Sequence, residues 1–267
     1  MGWLMTDPVL PGWEGDPLST FLSGAQRNER VSALKMPDVY ALLQRVHRVF
    51  QQVATITEKE HTASLLPTRF LMARAHAAWL AAIRQGLSGQ TVDAYPLIRE
   101  VVEASWYALH LAKDPDPPRR VEIWLRRNDD ESAKARCKTE FSVLKVRATH
   151  SALDPATAAV LQTLYDQTIE LGGHPNERGI LAAMTRTETA QECTFGVVFL
   201  TDNPVLIAVA LKTAVEAAVG ALKTSRLVFP ERFAIIGVDD EIEKILGGLN
   251  AVFRLDVPER RSATGRS

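Results

Sequence analysis

An arginine, a glutamate, a tyrosine and a histidine recur along one line of the segment Tyr95 to Lys113, YPLIREVVEASWYALHLAK. At about 100° per residue, Arg99, Glu100, Glu103, Tyr107 and His110 all fall in one arc of a helix. Arg99 and Glu103 are four apart, as are Glu103 and Tyr107, so the members of each pair can meet on a helix surface. The chemistry such a set allows is anion binding by the guanidinium, with proton transfer by the carboxylate or imidazole. A further histidine, His174, sits in GGHPNERG, where two glycines and Pro175-Asn176 predict a turn that presents the ring away from helical packing. Tyr165 and Glu170 precede it and could orient it. These positions assign Arg99, Glu103 and His174 to catalysis, and Tyr107, His110, Tyr165 and Asn176 to substrate contact. The alternative is structural: a buried polar network that fixes helix register, and a turn histidine bonded to backbone.

Other chemistries find less support. Glu58 and His61 have the Glu-x-x-His spacing of carboxylate-bridged metal bundles, but such a site needs a second copy and two more glutamates. The sequence has one copy, so a metal-dependent bundle enzyme is a third reading and no metal ligands are assigned. Cys137 and Cys193 are the two cysteines, too few for a disulfide framework and without metal spacing. No phosphate-binding glycine loop, dinucleotide fingerprint or nucleophile elbow is present, so no cofactor is expected. Arg119-Arg120 and Arg126-Arg127 flank Trp124 and could meet RNA phosphates, although Asp129, Asp130 and Glu131 dilute the patch, as they would on a solvated charged face.

The rest of the chain must hold these residues in place. Leu97, Ile98, Val101, Val102, Ala104, Ser105, Ala108, Leu109 and Leu111 cover more than half of the central helix, which is therefore enclosed by the fold. Helical spacing also predicts helices near 37–56, 68–85, 119–127, 129–150, 154–171, 204–223 and 239–253. The nearly all-apolar 204–223 is the natural partner of the central helix. It contains Lys212 and Glu216, which argues for burial in protein over a membrane. The β-branched, threonine-rich run near 179–201 predicts a small hairpin. The reading is a mainly α, single-domain bundle of about seven or eight helices. An irregular arm (1–30), rich in Pro, Gly, Asp and Ser, precedes the helical domain (31–254), and a solvated tail (255–267) follows it. With 31 basic and 32 acidic residues, there is no global pull toward nucleic acid or anionic membrane. The amino-terminal segment lacks the basic and apolar regions of a secretory signal, so a cytoplasmic setting is expected.

The order of these features resembles a family of bacterial all-helical proteins of unknown function. The segment REVVEASWYAL supplies its Arg, Glu and aromatic at Arg99, Glu103 and Tyr107. The segment LYDQTIELGGHPN supplies its His-Pro pair at His174 and Pro175. The resemblance spans roughly residues 35 to 225. That family is similar in outline to the HEPN proteins, helical toxins and defence ribonucleases whose catalytic pattern is an Arg, four to six residues, then a His. Arg69 and His76, with six residues between them, fit that spacing, but on an early helix where the HEPN motif is late. The resemblance implies a stress or phage-defence factor that binds or cleaves RNA, with RNA or a nucleotide as partner and Arg99, Glu103 and His174 as its cleft. The competing expectation is a non-enzymatic binding or regulatory module. A homodimer is the default assembly.

Overall fold

The computed structural model describes residues 12–13, 15–58, 62–173, 177–189 and 192–253. It is a mainly α bundle with one small sheet, as the periodicity predicts. Helix α1 (Pro17–Lys35) shows that residues 17–30, expected to belong to an irregular arm over 1–30, are helical; residues 1–11 of that arm lie outside the described residues. Its start is a cap: the Asp16 side chain accepts from the backbone N–H groups of Leu18 and Ser19 at 2.9 and 3.0 Å, and Pro17 takes the first helical position. Polar composition concealed an ordinary helix start. Helix α2 (Pro37–Thr57) buries Val39, Leu42, Leu43, Val46, Val49, Phe50 and Val53, the set its spacing selects.

Helix α3 (Leu66–Ser88) runs into the central helix α4 (Thr91–Ala112) through Gly89 and Gln90. Gly89 is left-handed (φ +90°), and a Cβ there would lie 2.2 Å from the Thr201 carbonyl oxygen. The close approach lets Thr201 N–H donate to the Gly89 carbonyl at 2.9 Å, tying this corner to the approach of a much later helix. Pro96 lies inside α4 and has no N–H to give the Val92 carbonyl one turn earlier. Gly172 backs onto that carbonyl: a Cβ at Gly172 would sit 2.7 Å from it.

After α4 the chain makes four helices, α5 (Pro117–Leu125), α6 (Glu131–Glu140), α7 (Val143–Leu153) and α8 (Pro155–Thr168). The single helix expected over 129–150 breaks at Phe141-Ser142. Phe141 turns inward and is 4% exposed, while Ser142 is extended. A π-helical turn, Ile169–Gly173, follows α8. Helix α9 (Glu177–Ala182) leads into a hairpin of β1 (Met184–Glu188) and β2 (Cys193–Val197). The strands pair antiparallel with Arg186 opposite Phe195 and Thr187 opposite Thr194. Helices α10 (Pro204–Val228), α11 (Pro230–Ile236) and α12 (Val238–Val252) complete the bundle.

The centre is the trio α3, α4 and α10, which pack on one another. Helices α2 and α12 cover α10 on one side, and α7 and α8 cover α4 and α10 on another. Of the described helices, α10 alone is long and apolar enough to cross a membrane by length and composition. It is mostly buried against its neighbours here, with Leu211, Val215, Ala217, Ala218 and Leu222 fully enclosed.

Gly89 should tolerate no side chain. Gly89→Ala combines an unfavourable positive φ with a backbone clash and should cost about 2–4 kcal/mol. Thermal unfolding should show a fall in Tm of roughly 5–15 °C; an unchanged Tm would contradict the close approach.

Candidate functional site

The polar line of α4 divides between two surroundings. At its middle, Arg99 Nε donates to Glu103 Oε1 at 2.9 Å, and Arg99 Nη2 donates to the Tyr165 hydroxyl at 3.1 Å. Tyr165, expected beside His174, therefore belongs to the Arg99–Glu103 pair. Its ring lies 5.3 Å from that of Trp106. The guanidinium groups of Arg99 and Arg147 lie 5.0 and 5.1 Å from its centroid, and Arg147 is also 5.2 Å from the Trp106 ring. Two cations against a ring add cation–π attraction of about 0.5–1 kcal/mol each at partly exposed sites.

These contacts set protonation. Burial disfavours the Arg99 charge, but Glu103 and the Tyr165 hydroxyl outweigh it and hold its pKa above the ordinary value. Burial raises the pKa of Tyr165, and the adjacent Glu103 charge adds to that. The same two causes raise Tyr107. Both phenols are neutral at physiological pH and neither can serve as a base. Tyr107 is also committed elsewhere. It donates to the Phe141 carbonyl at 3.0 Å and stacks on the Phe141 ring at 5.3 Å. It thereby satisfies a carbonyl that the end of α6 leaves open.

His110 stands apart from this group. It lies eleven residues beyond Arg99, roughly 16 Å along the axis, and is 1% exposed. It was expected to touch substrate; burial closes it off. Its Nδ1 meets Thr149 Oγ1 at 2.7 Å, and its ring stands edge-on to Phe141. Beyond it, Glu140 accepts from Arg119 and Arg120 at 2.9 Å each and from Lys145 at 3.1 Å. Arg119 in turn reaches Asp114 at 3.3 Å, and the Arg120 N–H donates to Asp114 at 2.8 Å. The bond from Arg119, with those from Arg120 and Lys145, holds Glu140 at about 2 against the cost of burial. The Arg119-Arg120 pair, expected for RNA phosphates, is thus taken up by carboxylates that fasten α5 and α6 to the end of α4.

What remains open beside Glu103 is a cleft of about 250 Å³. Trp106, Tyr107, Trp124 and Tyr165 wall it, and Glu100 and Glu103 line it too. Glu100 also receives a hydrogen bond from Arg74 at 2.9 Å. The structure thus brings Glu103, Tyr107 and Tyr165 together at one cavity, with Arg99 bonded to two of them. His174 and Asn176 lie outside the described residues. Glu170, expected to orient His174, pairs with Arg178 at 3.3 Å. Trp124 was read only as the centre of a basic patch, and Trp106 was not singled out, because its indole interrupts no period.

A second cleft, of about 200 Å³, lies between α2, α3 and α10 and is lined by Phe50, Arg69, Phe70 and His76. His47 Nδ1 and His76 Nε2 are 3.0 Å apart, and His76 stacks on Phe50 with centroids 4.6 Å apart. Burial, then the His47 charge, lowers His76 to about 4. The Arg69–His76 spacing is visible in the sequence. His47, from a different helix, has no local signal. No group of three or more metal-ligating side chains occurs among the described residues; Glu58 is described and His61 is not. The chain matches no protein-family model, no curated protein and no solved structure.

Buried histidines make a pH prediction. Burial first, then Arg120, lowers His110 from 6.5 to about 4. Between those values the unfolded chain binds a proton that the folded chain refuses, so stability falls as pH drops from 6.5 toward 4. His76 acts in the same direction. Urea unfolding across this window should show that slope, and His110→Gln should reduce it by about 1 kcal/mol per pH unit. An unaltered slope would contradict a buried neutral His110.

Proposed function

We propose that the chain is a non-enzymatic helical binding module that takes a planar purine base, free or in RNA, into the cleft beside α4. The observation that carries this reading is the lining: four aromatic side chains with two carboxylates. Aromatic walls suit a flat ring, and base–aromatic stacking contributes about 1–3 kcal/mol per base. Carboxylates only accept hydrogen bonds, with roughly four lone-pair sites each. Their bonds to Arg74 and Arg99 do not exhaust that capacity. They favour a ring edge rich in N–H donors, which guanine presents. Arg126 and Arg127 stand exposed next to Trp124, where a phosphate attached to the base would meet positive charge. The internal pairing of Arg99, Glu103 and Tyr165 supports a scaffold role for those groups over a catalytic one.

Titration with guanosine monophosphate should quench tryptophan fluorescence saturably. Uridine monophosphate should bind more weakly. Trp124→Ala, on a short, partly exposed helix, should weaken binding roughly tenfold or more. An unquenched signal, or equal binding by the variant, would sink the reading.

A second reading rests on the other cleft. His76, in contact with His47, lines this cavity together with Arg69, and imidazoles and a guanidinium are the groups that acid–base cleavage of a phosphodiester uses. Under it the protein is a ribonuclease of the defence type that the HEPN-like resemblance implies. Labelled RNA should then be cut by the purified protein and spared by His76→Asn. Cleavage lost instead in His174→Ala would return the chemistry to Arg99, Glu103 and His174. RNA left intact by the unaltered protein removes both enzymatic versions.

A further inference from the structure

The hairpin stands away from the core: every described residue of β1 and β2 is exposed except Met184, which is half-buried. A lone two-stranded hairpin is marginal in water, and its outer edge is a template for another strand. Its hydrogen-bond phase is fixed by two bonds, from Thr189 N–H to the Glu192 carbonyl and from Val198 N–H to the Ala183 carbonyl, both 2.8 Å. Antiparallel pairs alternate between bonded and non-bonded, so Thr185 and Thr187 direct their backbone groups toward β2. Met184, Arg186 and Glu188 direct theirs outward from the free edge of β1.

The sequence along that edge is Thr185-Arg186-Thr187-Glu188-Thr189. Its charges are opposite and equidistant from Thr187. We propose that β1 pairs antiparallel with β1 of a second copy about a two-fold axis through Thr187, joining two hairpins into a four-stranded sheet. This register sets Arg186 opposite Glu188 of the second copy, twice, and each such pair exchanges two backbone hydrogen bonds. Within one chain, Arg186 already donates to Glu188 at 2.8 Å, so the same groups can bridge the axis. Registers centred on Arg186 or Glu188 satisfy the backbone equally well but place like charges face to face, which is destabilising. Charge therefore selects the register, as an isologous interface requires. Phe195 and Val197, 64% and 62% exposed, lie on the same face as Arg186 and Glu188 and extend the shared sheet with apolar surface.

Sedimentation velocity across a concentration series should show a monomer–dimer equilibrium. Arg186→Glu and Glu188→Arg should each weaken dimerisation roughly tenfold or more, since each faces like charges at two positions. The double variant Arg186→Glu/Glu188→Arg should restore it. In a Cys193→Ser background, Thr187→Cys should form an intermolecular disulfide on mild oxidation, because Cα atoms of a non-bonded antiparallel pair lie about 4.5 Å apart, within disulfide reach. Thr194→Cys, on the outer strand and so a full strand away from the axis in each copy, should not. A chain that stays monomeric at all concentrations overturns the proposal. So does a dimer indifferent to both single charge reversals.

Discussion

Helix α4 is enclosed on nearly all sides, so each charged group on it left without a partner would cost several kcal/mol. Much of the surrounding architecture answers that demand. Glu103 and Tyr165 meet Arg99, which brings α8 against the middle of α4. Tyr107 meets a carbonyl exposed by the end of α6, and that end exists because Phe141 turns inward. The far end of α4 is gathered by Asp114, Glu140, Arg119 and Arg120, where α5 and α6 dock.

The cleft follows from the same arrangement. The Trp106 and Tyr165 rings lie tilted against each other, with Arg147 against both and Arg99 against Tyr165, and Tyr107 is held by its hydroxyl. Three of the four aromatic walls are thus held by contacts within the protein, which limits the ordering cost of binding. Arg99 and Glu103 act on this account as the frame of an aromatic pocket. The same pairing holds the charge on Arg99.

Periodicity made α2, α4 and α10 legible, because each carries a long apolar face whose spacing only a helix satisfies. The hairpin was legible from its threonines. Helix α1 was not, since its polar surface suggested irregular chain and its one sharp signal, Asp16-Pro17, is two residues long. The break at Phe141-Ser142 has neither glycine nor proline; its cause is the ring's burial against α4, a tertiary effect. Arg99–Glu103 could be read from four-residue spacing, but Tyr165 could not be assigned to it, being 66 residues away. His110 shows the limit of angular reasoning. It shares a line with Arg99 but sits some three turns farther along, where burial and Thr149 give it a different role.

The central claim is that α4 builds an aromatic pocket for a purine ring. Its most direct test is a ¹⁵N–¹H spectrum of the tryptophan indole groups during addition of guanosine monophosphate. The account predicts shifts at Trp106 and Trp124, with Trp79, which packs beside His47 and His76, unmoved. Shifts at Trp79 with Trp106 and Trp124 unchanged, or no shifts at all, would contradict it.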